Sequence, residues 1–263
     1  MTPPPPAARA EASPAIAVRG LAKSFGPLPV LDGLALHVAR GEFVSILGPS
    51  GCGKSTLFSI LTGIERADAG EILLDGRPLE PADRPFAWMP QRDVLFPWRS
   101  VEQNVSLGGE VAAGLPRGEA RDRARALLAD FGLEGFGGMR PYQLSGGMRQ
   151  RVALARTVAQ GRDILLLDEP FGSLDALTRT ELQLWLERIW ERERWTVLLI
   201  THDVREAVLL SDRVYVMAQR PDGIALERDI RLSRPRTLDT LRGADAAELE
   251  HELLVALHAG RPV

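Results

Sequence analysis

Apolar positions along the chain recur with two different periods, and their alternation predicts strands interrupted by helices. Ala15–Val18 is a short apolar run, Leu34–Val38 alternates, and Phe43–Leu47 is a continuous run of the buried type that Gly48 ends; all three predict strands. A helix is expected from near Lys54 to about Leu61, and Glu71–Leu74 followed by Asp75-Gly76 predicts a strand entering a tight turn. The middle of the chain changes period. Arg117–Phe131 places Ala124, Leu127, Leu128 and Phe131 on one side of a helix, and Arg149–Ala159 predicts another. Gly135, Gly137 and Gly138 separate the two, so roughly Arg92–Arg162 reads as a helical insert. Strands return at Ile164–Leu167, Val197–Ile200 and Val214–Met217, with a helix over Ala176–Arg192 between the first two. Strand–helix–strand alternation predicts a parallel sheet. Ala244–Leu257 predicts a short amphipathic helix, and no segment repeats, so the unit occurs once.

Composition narrows this picture by exclusion. At 263 residues, 45% hydrophobic and 25% charged, the chain can bury a core without staples. A net charge of -3 gives no basic field for nucleic acid. The single cysteine, Cys52, rules out a disulfide within the chain and fits a reducing compartment. No apolar run approaches the roughly 20 residues that cross a bilayer. Met1–Pro14 is rich in Pro and Ala without an apolar signal core, which predicts a disordered tail and a protein that stays in the cytoplasm. Any membrane role then runs through a partner.

The chemistry lies in short motifs. Gly48, Pro49, Ser50, Gly51, Cys52, Gly53, Lys54 and Ser55 match G-x-x-x-x-G-K-[ST], and Thr56 follows on the helix. Glycines let backbone N–H groups turn inward around a polyphosphate, and the helix N-terminus adds its positive dipole. Lys54 supplies a point charge for β- and γ-phosphates, and the Ser55 hydroxyl suits Mg²⁺. The loop follows a buried-type strand and opens a helix, which disfavours a chance glycine-rich turn. Ile164–Glu169 is an apolar strand ending in two carboxylates. Taken alone, a solvated acidic turn explains it equally well. Behind a phosphate loop, Asp168 suits a hydrated hard cation and Glu169 a general base on water. Leu144-Ser145-Gly146-Gly147-Met148-Arg149-Gln150 opens a helix with a serine cap and two glycines, a second place for an anion.

With that segment the chain resembles the ABC ATPase family, whose signature is LSGGQ-like; Met148 stands where Gln is commonest. The likeness covers about Ile16–Arg236. It implies an α/β fold: a P-loop NTPase core with a mixed sheet, an N-terminal antiparallel β subdomain and an inserted α-helical signature subdomain. By resemblance, residues 15–236 form the ATPase domain and 237–263 a short helical extension. Gln91 would ligate Mg²⁺ and sense a membrane partner, Ser173-Leu174-Asp175 matches the D-loop, and His202 matches the switch histidine at the γ-phosphate. Phe25 falls where the family stacks an aromatic on adenine. The implied cofactors are ATP and Mg²⁺. In the family, Ser145, Gly146 and Gly147 of one copy close over the phosphates held by Lys54 of another, which implies a head-to-tail homodimer. Permease subunits and, indirectly, a periplasmic or lipid-anchored solute-binding protein complete the machine, at the cytoplasmic face of the inner membrane.

Ala87–Val101, Phe171–Arg179 and Val214–Met217 with Arg220–Ile224 look like the nitrate/sulfonate/taurine importer group, with thiamine-precursor importers similar. Arg220-Pro-Asp-Gly departs from that group's Arg-Pro-Gly-Arg. Phe96, Pro97 and Trp98 are apolar at an expected surface and would receive a permease helix; the bland alternative packs Trp98 inside the insert. The chain ends soon after Arg236, which predicts no small-molecule regulation on it. A small-molecule kinase shares the phosphate loop but not Leu144–Gln150 or His202. A non-transport ABC ATPase or an exporter subunit are the remaining alternatives.

Overall fold

The computed structural model describes residues 13–80, 83, 85–218 and 223–259, so most of the predicted disordered tail and Arg220–Asp222 lie outside the described residues. Two sheets organise it. The larger has the order β10-β9-β3-β8-β7-β6. Its members are β3 (Phe43–Leu47), β6 (Phe86–Met89), β7 (Ile164–Asp168), β8 (Thr196–Thr201), β9 (Arg213–Met217) and β10 (Ile224–Asp229). All of its pairs are parallel except β10 with β9.

Helices and the second sheet bury both faces of this sheet, which is why β3, β7, β8 and β9 read as continuous apolar runs. The period of 2 then sorts their side chains. Phe43, Leu47, Leu165, Leu167, Val197, Leu199, Val214 and Val216 join one core. Val44, Ile46, Ile164, Leu166, Leu198, Ile200, Tyr215 and Met217 join the other. The first core is closed by α2 (Val101–Ala112), α3 (Arg117–Asp130), α4 (Gly146–Val158), α5 (Ala176–Glu193), α6 (Val204–Leu210) and α7 (Ala244–Ala259). Phe43 meets Trp190 of α5 edge-on at 5.8 Å. The second core is closed by α1 (Lys54–Leu61) and by an antiparallel sheet of order β2-β1-β4-β5.

That antiparallel sheet comprises β1 (Ile16–Phe25), β2 (Leu28–Val38), β4 (Ala69–Leu74) and β5 (Arg77–Pro78). Both β1 and β2 run longer than their apolar patterns predict. The β1–β2 register shifts between Val18 and Leu21, where Gly20 takes φ +56°, and the resulting bulge resets the alternation. Five elements left little trace in the pattern, among them the two-residue β5. β6 has four residues between Pro85 and Pro90, and α6 spans less than two turns. β10 is largely exposed, and the buried face of α2 mixes Val101 and Val105 with Asn104, Ser106, Gly108 and Gly109, which blurs its apolar period. A Ser100–Gln103 capping box starts α2. The predicted C-terminal helix forms over Ala244–Ala259, burying Ala246, Leu249 and Leu253.

Candidate functional site

Register brings the predicted residues to one edge. Leu47 of β3 pairs with Thr201 of β8, Ile200 with Asp168 of β7, and Leu167 with Met89 of β6. Four adjacent parallel strands therefore end together, and the loop leaving each carries one predicted group: Gly48–Ser55, His202, Asp168-Glu169 and Gln91. The crevice beyond the carboxyl ends of such strands is where open α/β sheets bind ligands.

The loop after β3 needs its glycines for different reasons. Gly51 and Gly53 take φ +81° and +106°, a region that side chains resist. A Cβ on Gly53 would come within 2.6 Å of Leu31 Cδ2, and one on Gly48 within 2.6 Å of Cys52 Sγ. Cys52 points inward and is 2% exposed, so its side chain fills the underside of the loop. Lys54 is buried, and its Nζ donates to the carbonyls of Gly48 at 2.7 Å and Pro49 at 2.9 Å, which centres the ammonium in the loop.

Asp168 and Glu169 diverge. Burial pushes the Asp168 carboxyl up to about 6, the neighbouring Glu169 charge adds to this, and Lys54 opposes it. Glu169 takes φ +44°, and its N–H donates to Ile200 O at 2.9 Å. That twist presents its Oε2 to Gln91 Nε2 at 3.1 Å and to His202 Nδ1 at 3.4 Å. Two groups from two other strand ends thus meet at one oxygen of the Glu169 carboxylate.

A cleft of about 380 Å³ joins Phe25, Ser50, Gly51, Gly53, Lys54, Ser55, Thr56, Gln91 and Glu169. Phe25 closes one side with an exposed ring that Lys23 Nζ approaches to 5.2 Å. Leu28 and Val30 complete that wall. Sequence reasoning missed both; their only signal is their place on the strand that folds back on Phe25. Ser145, Gly146, Gly147 and Asp175 do not line this cleft. Ser145 caps α4, accepting the N–H of Met148 at 3.2 Å, and Gly147 lies tight against Thr178 of α5. Asp175 caps α5 through the Thr178 N–H at 3.1 Å, and bonding from the Thr178 hydroxyl first and its N–H second holds the carboxyl below the usual range. The predicted residues therefore form two groups, a phosphate-type cleft and a serine–glycine helix start elsewhere on the same chain.

The sheet order and the lysine-centred loop define a nucleotide-binding protein of the P-loop class. The sequence model described as ABC transporter matches residues 31–172. The chain is similar to the aliphatic sulfonates import ATP-binding protein SsuB 1 of Agrobacterium fabrum, 46% identical over 93% of this chain and 84% of that protein. It is also 48% identical to an uncharacterized ABC transporter ATP-binding protein of Methanocaldococcus jannaschii, over 78% of this chain and 77% of the relative. Among solved structures, the dimeric bacterial ABC transporter cassette MJ0796 superposes with a TM-score of 0.71 at 30% identity, over 82% of this chain and 99% of that one. The same cassette is known as a dimer in a post-hydrolysis state bound to ADP and Pi, with a TM-score of 0.70, 29% identity and the same coverage. The chain belongs to the ABC transporter ATP-binding family, and with it to the ATP-binding ATPases.

Proposed function

We propose that this chain is the ATP-hydrolysing subunit of an importer for aliphatic sulfonates or similar small anions, working as a head-to-tail pair beneath integral-membrane permease subunits. The relatives' names favour sulfonates over the nitrate and thiamine-precursor readings. The observation that carries the reading is the meeting of Gln91, Glu169 and His202 beside the Lys54 loop, with Ser145–Gly147 placed away from it. A cleft built that way is half a site, and a second copy's serine–glycine cap supplies the other half. The motor domain then spans residues 15–236.

In this assignment the backbone N–H groups of Gly48–Ser55 hold the phosphates, Thr56 extends the cradle, and Phe25 offers a face to the base. Glu169 takes a proton from water as its oxygen attacks the γ-phosphorus and the bond to the β–γ bridging oxygen breaks. His202 and Lys54 steady the charge on the transferred group. The residues present fit Mg²⁺: the Ser55 hydroxyl, the Gln91 amide and Asp168 are hard oxygen donors, and Asp168 is a partly buried acid that a cation would hold ionised. When bound, the ion would neutralise phosphate charge.

Coupling to a permease is assigned to the segment after Gln91. Trp98 is 69% exposed, which removes the alternative that it packs inside the insert; its ring lies 5.2 Å from Phe96. The segment is fastened to α4, because Arg149 pairs with Asp93 at 3.2 Å and Arg156 donates to the Asp93 and Val94 carbonyls at 2.7 and 2.8 Å. Movement of a docked permease helix would thus reach the signature helix. Among the described residues no helix is long and apolar enough to cross a membrane. We place the chain at the cytoplasmic face, held by its permease, with a solute-binding protein acting from the far side.

Glu169→Gln tests the assignment. It should lower turnover at least a hundredfold and leave a stable ATP-bound dimer in light scattering. A persistently monomeric variant with full turnover refutes it.

A further inference from the structure

Between the Ser173–Asp175 turn and the His202 loop lies a polar cluster that none of the roles above uses. Arg179, near the start of α5, reaches both sides. Its Nη2 donates to the Leu174 carbonyl at 2.9 Å, and its Nη1 lies 3.7 Å from Asp203 Oδ2. Asp203 is the residue after His202, and its other oxygen, Oδ1, accepts the N–H groups of Arg205 at 2.9 Å and Glu206 at 3.2 Å. Its own N–H donates to Thr201 Oγ1 at 3.0 Å. Through this one residue, its carboxylate on the start of α6 and the guanidinium and its N–H on the end of β8, three pieces are joined at the foot of the histidine.

The far side of the turn is held as well. Gln150 Nε2 of α4 donates to Ser173 Oγ at 3.4 Å. The serine–glycine helix start and the histidine loop are therefore linked inside one chain; Gln183 joins α5 to Glu206 within α6 at 3.1 Å, and Arg179 joins α5 to Asp203, the residue beside the histidine. The α6 cap does not need Arg179: Asp203 holds the Arg205 and Glu206 N–H groups on its own, and among the described residues Arg179 Nε is buried without an acceptor, a cost that an apolar side chain would avoid.

We infer that Arg179 is a positioning residue: it ties the Leu174 carbonyl to the Asp203 carboxylate and so fixes the loop that presents His202 to the γ-phosphate. The inference rests on the role given to His202 above. Its test is steady-state ATP turnover of the full chain with Mg²⁺, reading kcat and KM separately, beside thermal melts. Arg179→Ala should lower kcat tenfold or more while KM stays within about threefold and the melting temperature within a few degrees. Arg179→Lys should recover part of that loss, because an ammonium can meet Asp203 but lacks the planar fork that serves both partners. The double variant Arg179→Ala/His202→Ala should turn over no more slowly than His202→Ala alone, since groups acting in series are not additive.

Independent losses in the double variant, a rise confined to KM, or unchanged kcat each overturn the link. Should Arg179→Ala fail to fold, Asp203→Asn keeps an oxygen for the α6 cap, weakens the ion pair, and must show the same non-additivity with His202→Ala. Full turnover in His202→Ala overturns the role of the histidine itself and this inference with it. A slow His202→Ala with an independent Arg179 effect overturns this inference alone.

Discussion

Replacing Glu206 by glutamine should stabilise the protein above neutral pH and leave it nearly unchanged at pH 5. Glu206 is buried in α6; Gln183 Nε2 donates to its Oε2 at 3.1 Å, while among the described residues its Oε1 has no hydrogen-bond partner. Burial, then the nearby Asp203 charge, pushes this carboxyl from 4.5 up to about 8, against the bonds from Thr201 and Gln183 and the charge of Arg179. The folded protein therefore binds this proton more tightly than the unfolded chain does. Between pH 4.5 and about 8 the unfolded carboxyl is ionised and the folded one is not, so stability falls as pH rises through that window. Each pH unit there costs about 1.4 kcal/mol, or roughly 3 kcal/mol between pH 5 and 7.5. Glutamine keeps the acceptor for Gln183 and does not titrate, so the variant escapes this slope. Urea unfolding followed by circular dichroism at pH 5, 6, 7 and 7.5 measures the difference between the two proteins at each pH. A variant whose stability runs parallel to the parent's across that range refutes the reasoning.

Gly53→Ala should lower affinity for a fluorescent ATP analogue at least tenfold, because φ +106° and the approach to Leu31 and the Val30 carbonyl force the loop to move; unchanged affinity counts against the loop geometry. Arg236→Ala should cost about 3–5 kcal/mol in urea unfolding, since this 2%-exposed guanidinium donates to the carbonyls of Val208, Leu209, Ser211, Ile230 and Leu232. A loss under 1 kcal/mol would show that water replaces it. Trp98→Glu should leave melting temperature and basal ATP turnover within experimental scatter, yet abolish stimulation by reconstituted permease; retained stimulation removes Trp98 from the docking surface.

The parts legible in the sequence are those whose cause is local. Gly48–Ser55 is readable because a loop wrapped around phosphate needs glycine conformations within eight consecutive residues. The parallel strands are readable because two-sided burial leaves unbroken apolar runs. What stayed hidden depends on partners distant in the chain. Arg234 and Arg236 sit in a polar, proline-bearing stretch that reads as a surface loop. In the fold Arg234 pairs with Glu187 and Asp212 and stacks 4.1 Å over Trp190, while Arg236 collects the carbonyls at the end of α6. No periodicity encodes such contacts, because Arg234 meets side chains of distant elements and Arg236 meets backbone carbonyls. Arg179 was visible only as one letter of a family-like stretch; its use emerges when Leu174 and Asp203 are seen on either side of it.

The same distinction bears on the two acids after β7, which the sequence alone left compatible with a solvated turn. A solvated turn would let Glu169 relax to an ordinary backbone conformation or would place Gly or Asn there. Instead a glutamate takes φ +44°, a conformation that costs about 1–3 kcal/mol unless its surroundings over-determine it. Here they do: the Ile200 carbonyl holds its N–H, and Gln91 and His202 meet its carboxylate from two other strand ends. Asp168 beside it is buried enough to hold its proton well above the usual range. Local rules are thus broken twice in consecutive residues, at the one edge where four strands end. Violations concentrated in this way point to selection for what the carboxylates face rather than for the fold that carries them.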